Sequence, residues 1–161
     1  MQSERKLSSP TQEQLDAWRV FLETAYALID ILDVELQSER DLTLRWYDVL
    51  VQLEEADDGL RMSELAGRIL FSKSGLTRVV DRMEEAGLVR RERPADDRRA
   101  VEVFITPAGL ETLQAARAVH RRGVQEHFVQ HLDERELAAL GHALENVRDH
   151  VRPLRPGRIS G

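Results

Sequence analysis

The chain of 161 residues contains no cysteine, which excludes disulfides, thiolate zinc sites and redox sensing through sulfur. Aromatic residues make up only 5% against 32% charged, a balance that fits a helix-rich protein better than a β-sandwich or a disordered chain. No apolar run approaches the roughly 20 residues that span a bilayer. The opening MQSERKLSSP lacks the apolar stretch of a secretory signal, so a cytoplasmic location is expected. Also missing are G-x-S-x-G, the P-loop and H-E-x-x-H. No catalytic residue, cofactor or metal is therefore assigned, and the chain is not read as an enzyme. His127 and His131 share one face of a helix at i, i+4, a spacing that suits a metal. No third ligand stands near them, and surface or interface histidines are the plainer reading.

What the chain does have is charge of both signs, unevenly spread. The total is -6, which argues against a simple nucleic-acid binder. Between Ser72 and Arg99, however, eight Lys and Arg face six Asp and Glu, a local excess of +2. At 42% hydrophobic the chain can bury one core, extended by helices that need a partner.

Residues 1–10 read as a flexible arm ending in Ser8-Ser9-Pro10, before a helix that starts at Thr11. From there to about residue 38, Leu15, Trp18, Leu22, Ala25, Ile29, Leu32 and Leu36 repeat at 3-4 spacing, an apolar stripe that calls for another helix. A second helix is expected over Leu42 to Ala56, with Trp46, Leu50 and Leu53 inward. The run Glu54-Glu55-Ala56-Asp57-Asp58-Gly59 closes it and reads as a solvated helix end. Ser63 is expected to cap a short helix through Leu70, and Ser72 the next, which carries Leu76, Val79, Val80 and Met83 inward and stops at Gly87. Two short helices across a tight turn make a helix-turn-helix. Leu88 to Arg93 and Ala100 to Ile105 read as two strands joined by Pro94 to Arg98, a hairpin that forms the wing of a winged helix. Thr106 and Pro107 start a long helix to about Gln130. Asp133 and Glu136 resemble a capping box for a last one, whose Leu137, Leu140, Leu144, Val147, Val151 and Leu154 form a seam. The fold expected is mainly α within an α+β class. Helices at 11–38 and 107–152 flank a winged helix-turn-helix at 39–106, and 153–161 form a flexible tail.

On the second helix of the motif, the face opposite Leu76 and Met83 presents Lys73, Ser74, Thr77, Arg78 and Arg82, with Ser72 at its start. Hydroxyls and arginines on the first half of such a helix suit the major groove, where arginine forks onto guanine. Asp81, Glu84 and Glu85 sit in the second half. Any amphipathic helix has a polar outer face, so a merely solvated surface stays open at this point. Arg98 and Arg99 at the hairpin tip, beside Asp97, suit a narrow minor groove. An Asp97–Arg99 ion pair that stabilises the turn is compatible with that role.

These residues resemble the MarR family of bacterial regulators. The likeness is strongest in Ser63-Glu64-Leu65-Ala66, in the run from Ser72 to Arg91, and from Asp96-Asp97-Arg98-Arg99 to Thr106-Pro107-Ala108-Gly109, where Asp97 and Arg99 match the wing signature. It implies a homodimer with interlocked terminal helices and a pseudo-palindromic operator whose half-sites lie about 10 bp apart. It further implies repression of neighbouring genes, with DNA contacts from Ser72, Lys73, Ser74, Thr77, Arg78, Arg82, Asp97, Arg98 and Arg99. Family members respond to small aromatic acids, phenols or drugs bound beside the dimerisation helices. Trp18, Arg45, Trp46 and Tyr47 suit such an aromatic anion through stacking and charge, with core packing as the other reading. The alternative function is a winged-helix protein that meets a protein partner, or binds DNA without ligand control.

Overall fold

The computed structural model describes residues 9–71, 74–94 and 100–152. Its elements in order are α1 (Gln12–Arg40), α2 (Leu44–Glu54), β1 (Leu60–Arg61), α3 (Met62–Arg68), α4 (Leu76–Glu85), β2 (Val89–Glu92), β3 (Glu102–Ile105), α5 (Pro107–His127), a single 3-10 turn (Val129–His131) and α6 (Glu134–Val151). No helix among the described residues is long and apolar enough to cross a membrane.

Local chemistry accounts for most boundaries. Thr11 accepts from the Gln14 N–H while Gln14 returns the bond to the Thr11 N–H, a capping box that starts α1. Thr43 caps α2, Thr106 caps α5 with Pro107 at its first position, and Asp133 with Glu136 caps α6. Gly87, at φ 73, ends α4 in the left-handed region that only glycine enters without strain.

Ser63 is not a cap. α3 begins at Met62, with Arg61 in the capping position, because Arg61 is held extended by pairing with Glu102 and its N–H is taken by Glu64 Oε2 at 2.9 Å. The two-residue strand β1 was too short for any alternation to announce it. It lies against β3, which pairs β2 on its other side from Val89↔Ile105 to Glu92↔Glu102, so the sheet order is β1-β3-β2, all antiparallel. The helix expected to reach Gln130 breaks at Phe128, at φ -132, and continues as the 3-10 turn. His127 and His131 therefore do not share one α-helical face, and His127 is instead bonded to Glu35 of α1 at 2.6 Å. No group of three His, Asp or Glu able to hold a metal occurs among the described residues.

The core gathers Leu36 and Leu42, Val49, Leu50 and Leu53 of α2, Leu65 and Ile69, Leu76, Val80 and Met83 of α4, Val89 and Val103 of the sheet, and Leu113, Ala116 and Val119 of α5. Burying each such side chain contributes about 1.5–3 kcal/mol before entropy is counted. The first turn of α5 packs so closely on the winged region that a Cβ on Gly109 would run into the Leu88 carbonyl oxygen. The Thr106 hydroxyl donates to the Gly87 carbonyl at 2.6 Å across the same seam. The end of α2 is not merely solvated. Glu54 takes the Arg117 guanidinium of α5 on both oxygens, while Glu55, Asp57 and Asp58 stay exposed.

The outer helices are different. α6 buries none of its residues, and on α1 only Leu36 is buried. Many of their apolar side chains, including Val20 at 61%, Val34 at 64% and Val147 at 56% exposure, are open to solvent.

Candidate nucleic-acid interface

α4 is amphipathic by spacing. Leu76, Val80 and Met83 are buried, and Thr77 and Arg78 are exposed on its first turns. Ser74, just before the helix, is exposed too, and its carbonyl accepts from Arg45 Nη2 of α2 at 2.6 Å. Arg82 is exposed but stands to one side, where it lines a cavity of about 360 Å³ between α1, α2 and α4. Ser72, Lys73, Asp97, Arg98 and Arg99 lie outside the described residues.

The local excess of positive charge is partly spent within the fold. Arg90 lies over the Phe104 ring at 4.4 Å and pairs with Glu92. Arg91 reaches Asp81 Oδ1 at 2.6 Å and Glu84 Oε2 at 3.1 Å, both on α4. Arg78, Arg82 and Arg93 form no ion pair among the described residues, which leaves them as the described cations of this stretch available to an outside anion. Arg93 lines an open cleft of about 670 Å³ with Arg61, Thr77, Asp81 and Arg91, between the hairpin and α4.

Two side chains of α2 hold the turn of the helix-turn-helix from behind. Asp48 is buried and accepts the Leu70 N–H at 2.7 Å, and one turn earlier Arg45 holds the Ser74 carbonyl. Burial pushes the Asp48 carboxyl above its ordinary value, against the bonds from Leu70, Gln52 and Phe71 that favour the charged form. Asp48 escaped notice in the sequence, although an acid beside Val49 and Leu50 on an apolar helix face was the available signal. In the sequence Arg91 is only one more positive charge, because its partners are brought to it by the strand and helix packing together.

The four aromatic-site candidates do not converge. Arg45 and Trp46 line the 360 Å³ cavity with Ile29, Asp30, Asp33, Phe71, Val79 and Arg82. Tyr47 turns away and stacks on His120 of α5 at 4.6 Å, where burial pushes its phenol up and holds the His120 imidazole below its ordinary value. Trp18 is exposed on α1, tilted against Phe21 at 5.8 Å.

The sequence profile of the MarR family matches residues 40–100, from the end of α1 into the hairpin. The HTH-type transcriptional regulator PecS of Dickeya dadantii is 30% identical over 129 residues, 79% of this chain and 70% of that protein. Among solved structures, AbsC, a MarR family transcriptional regulator from Streptomyces coelicolor, is 37% identical with a TM-score of 0.82, covering 91% of this chain and 99% of its own. Sco3205, from the same organism and in the same family, was solved in complex with DNA. It is 30% identical with a TM-score of 0.84, over 91% of this chain and 92% of that one.

Proposed function

The chain belongs to the MarR family of DNA-binding transcriptional regulators, and on that premise we propose that it is a homodimeric repressor of genes behind a pseudo-palindromic operator. The observation that carries this is the division of α4, with Leu76, Val80 and Met83 sunk in the core while Thr77 and Arg78 stand outward beside Ser74. A helix so anchored presents its N-terminal half to a major groove. Ser72 and Lys73, and Asp97, Arg98 and Arg99 between the two strands in sequence, are assigned to the same interface on the sequence reading alone. Arg82 is placed at its margin.

The dimer rests on the exposed apolar faces of α1 and α6. Contiguous surfaces of this kind on a lone chain mark an association site. A second copy related by two-fold symmetry covers them and sets two α4 helices one DNA turn apart. Residues 11–38 and 107–152 then act as the dimerisation helices around the DNA-binding region 39–106. The function so described has no catalytic step.

The effector assigned is a small aromatic or phenolic anion in the cavity of Arg45 and Trp46, a ring stacking on the indole and its charge facing the guanidinium. Tyr47, stacked on His120, and Trp18, exposed on α1, do not line that cavity in this chain. An equilibrium titration at physiological salt, against the DNA upstream of the gene and a shuffled duplex, tests the first claim. A preference of roughly a thousandfold or more supports a sequence-reading repressor. Equal weak binding to both, repeated with DNA selected from random sequence, would favour a protein partner instead. Release of the selected duplex by salicylate, lost in Arg45→Ala, tests the second.

A further inference from the structure

Resting on α4 as the recognition helix, we propose that Arg91 is a positioning residue for DNA binding, which neutralises and ties down two carboxylates of that helix rather than touching DNA. α4 carries Asp81, Glu84 and Glu85 against Arg78 and Arg82, so by itself it is acidic and ill suited to a phosphate backbone. Arg91 comes from the neighbouring strand β2. Its Nη1 meets Asp81 Oδ1 at 2.6 Å and Glu84 Oε2 at 3.1 Å, and its Nη2 donates to the Thr77 carbonyl at 3.3 Å. Its backbone N–H donates to Glu84 Oε1 at 2.9 Å.

Thr77, Asp81 and Glu84 stand on successive turns of one flank of α4, so a single guanidinium laces the exposed length of the helix to the hairpin. Arginine, with five donors in a planar fork, reaches these three acceptors from two separate nitrogens, which the single nitrogen of lysine cannot do. The same contacts remove Arg91 from the pool of cations free for phosphate. Its side chain is 22% exposed, against 48% for Asp81 and 40% for Glu84. Its loss both uncovers two carboxylates beside the groove face and unties α4 from the wing.

The test is a mutant cycle on the full-length protein, reading equilibrium affinity for a duplex selected from random DNA by the wild type, at fixed salt. Arg91→Ala is expected to weaken binding on the order of 10- to 100-fold. In the Asp81→Asn, Glu84→Gln background the same change is expected to cost no more than about threefold, because there is nothing left to neutralise. Arg78→Ala, a groove contact, keeps its full penalty in both backgrounds. Should Arg91→Ala cost the same factor in both, Arg91 touches DNA and the proposal falls, and it falls equally if Arg91→Ala binds normally. An inert Arg78→Ala would instead count against α4 as the recognition helix. Circular dichroism and sedimentation check each variant's fold. Arg91→Lys, which keeps the charge and loses the fork, serves if Arg91→Ala does not fold, with an intermediate loss relieved by the same background.

Discussion

In the winged region from Leu44 to Ile105, apolar side chains of α2, α3, α4 and the sheet are covered by their own chain, and a buried carboxylate ties off the turn between the helices. In α6, built with an equally regular apolar seam and a complete capping box, no residue is buried. Helix formation is thus well encoded in both, while burial is achieved by the chain alone in only one. An amphipathic face specifies that a helix will pack, and says nothing of whether its partner is on the same molecule.

The sharpest way to break this comparison is Leu144→Asp on the seam of α6. On the proposed dimer, sedimentation is expected to change from dimer to monomer, with affinity for a selected duplex falling on the order of 100-fold or more as two half-sites can no longer be held together. The secondary structure of the winged region should survive. A variant that stays dimeric would put the interface elsewhere. Gly109→Ala strikes the region that is self-contained. The new methyl meets the Leu88 carbonyl, a backbone atom that cannot step aside, and a loss of about 3 kcal/mol is expected in urea unfolding.

Asp48 offers a subtler separation. Asp48→Ala leaves the Leu70 N–H without its acceptor and should cost about 2 kcal/mol, whereas Asp48→Asn keeps an acceptor and should cost well under that. Burial raises this carboxyl above its ordinary 3.8 in the folded protein. Folding therefore favours its protonated form, and its contribution to stability falls as pH rises from 3.8 through the raised value. Urea midpoints at about pH 4 and about pH 7 should differ less in Asp48→Asn than in the wild type, and an equal difference would rule out this carboxyl as a source.

The smallest effect concerns His120, whose imidazole is held below its ordinary 6.5 by burial against Tyr47. Here the unfolded chain takes up its proton first. The stability present above 6.5 is lost as pH falls through the folded value. His120→Phe keeps a ring on Tyr47 and should flatten the melting temperature over that interval. An unchanged slope would point to another group.

Legibility in the sequence followed the range of the interactions. Thr11, Thr106 and Asp133 announced helix starts because caps are local, and Gly87 announced a stop for the same reason, whereas the second helix begins at Leu44 behind the Thr43 cap rather than at Leu42. Leu60 and Arg61 did not announce a strand, since their extended form comes from pairing with Val103 and Glu102 some forty residues on. Misreading Ser63 as a cap followed from that omission. Within the proposed site, Thr77 and Arg78 were legible from helical spacing alone. The side-by-side roles of Arg78 and Arg91 were not, because the two arginines look alike until the hairpin folds one of them onto Asp81 and Glu84.

By itself the sequence determined the helices, their apolar faces and the order helix-turn-helix then hairpin, all of which depend on residues within a few turns of one another. Tertiary structure alone decided which charges remain free, that Trp46 and Tyr47 part company, and that Glu54 and Asp48 bind rather than face water. Those outcomes depend on which distant backbone and side-chain groups are brought within hydrogen-bond reach. Spacing along one chain cannot state that distance.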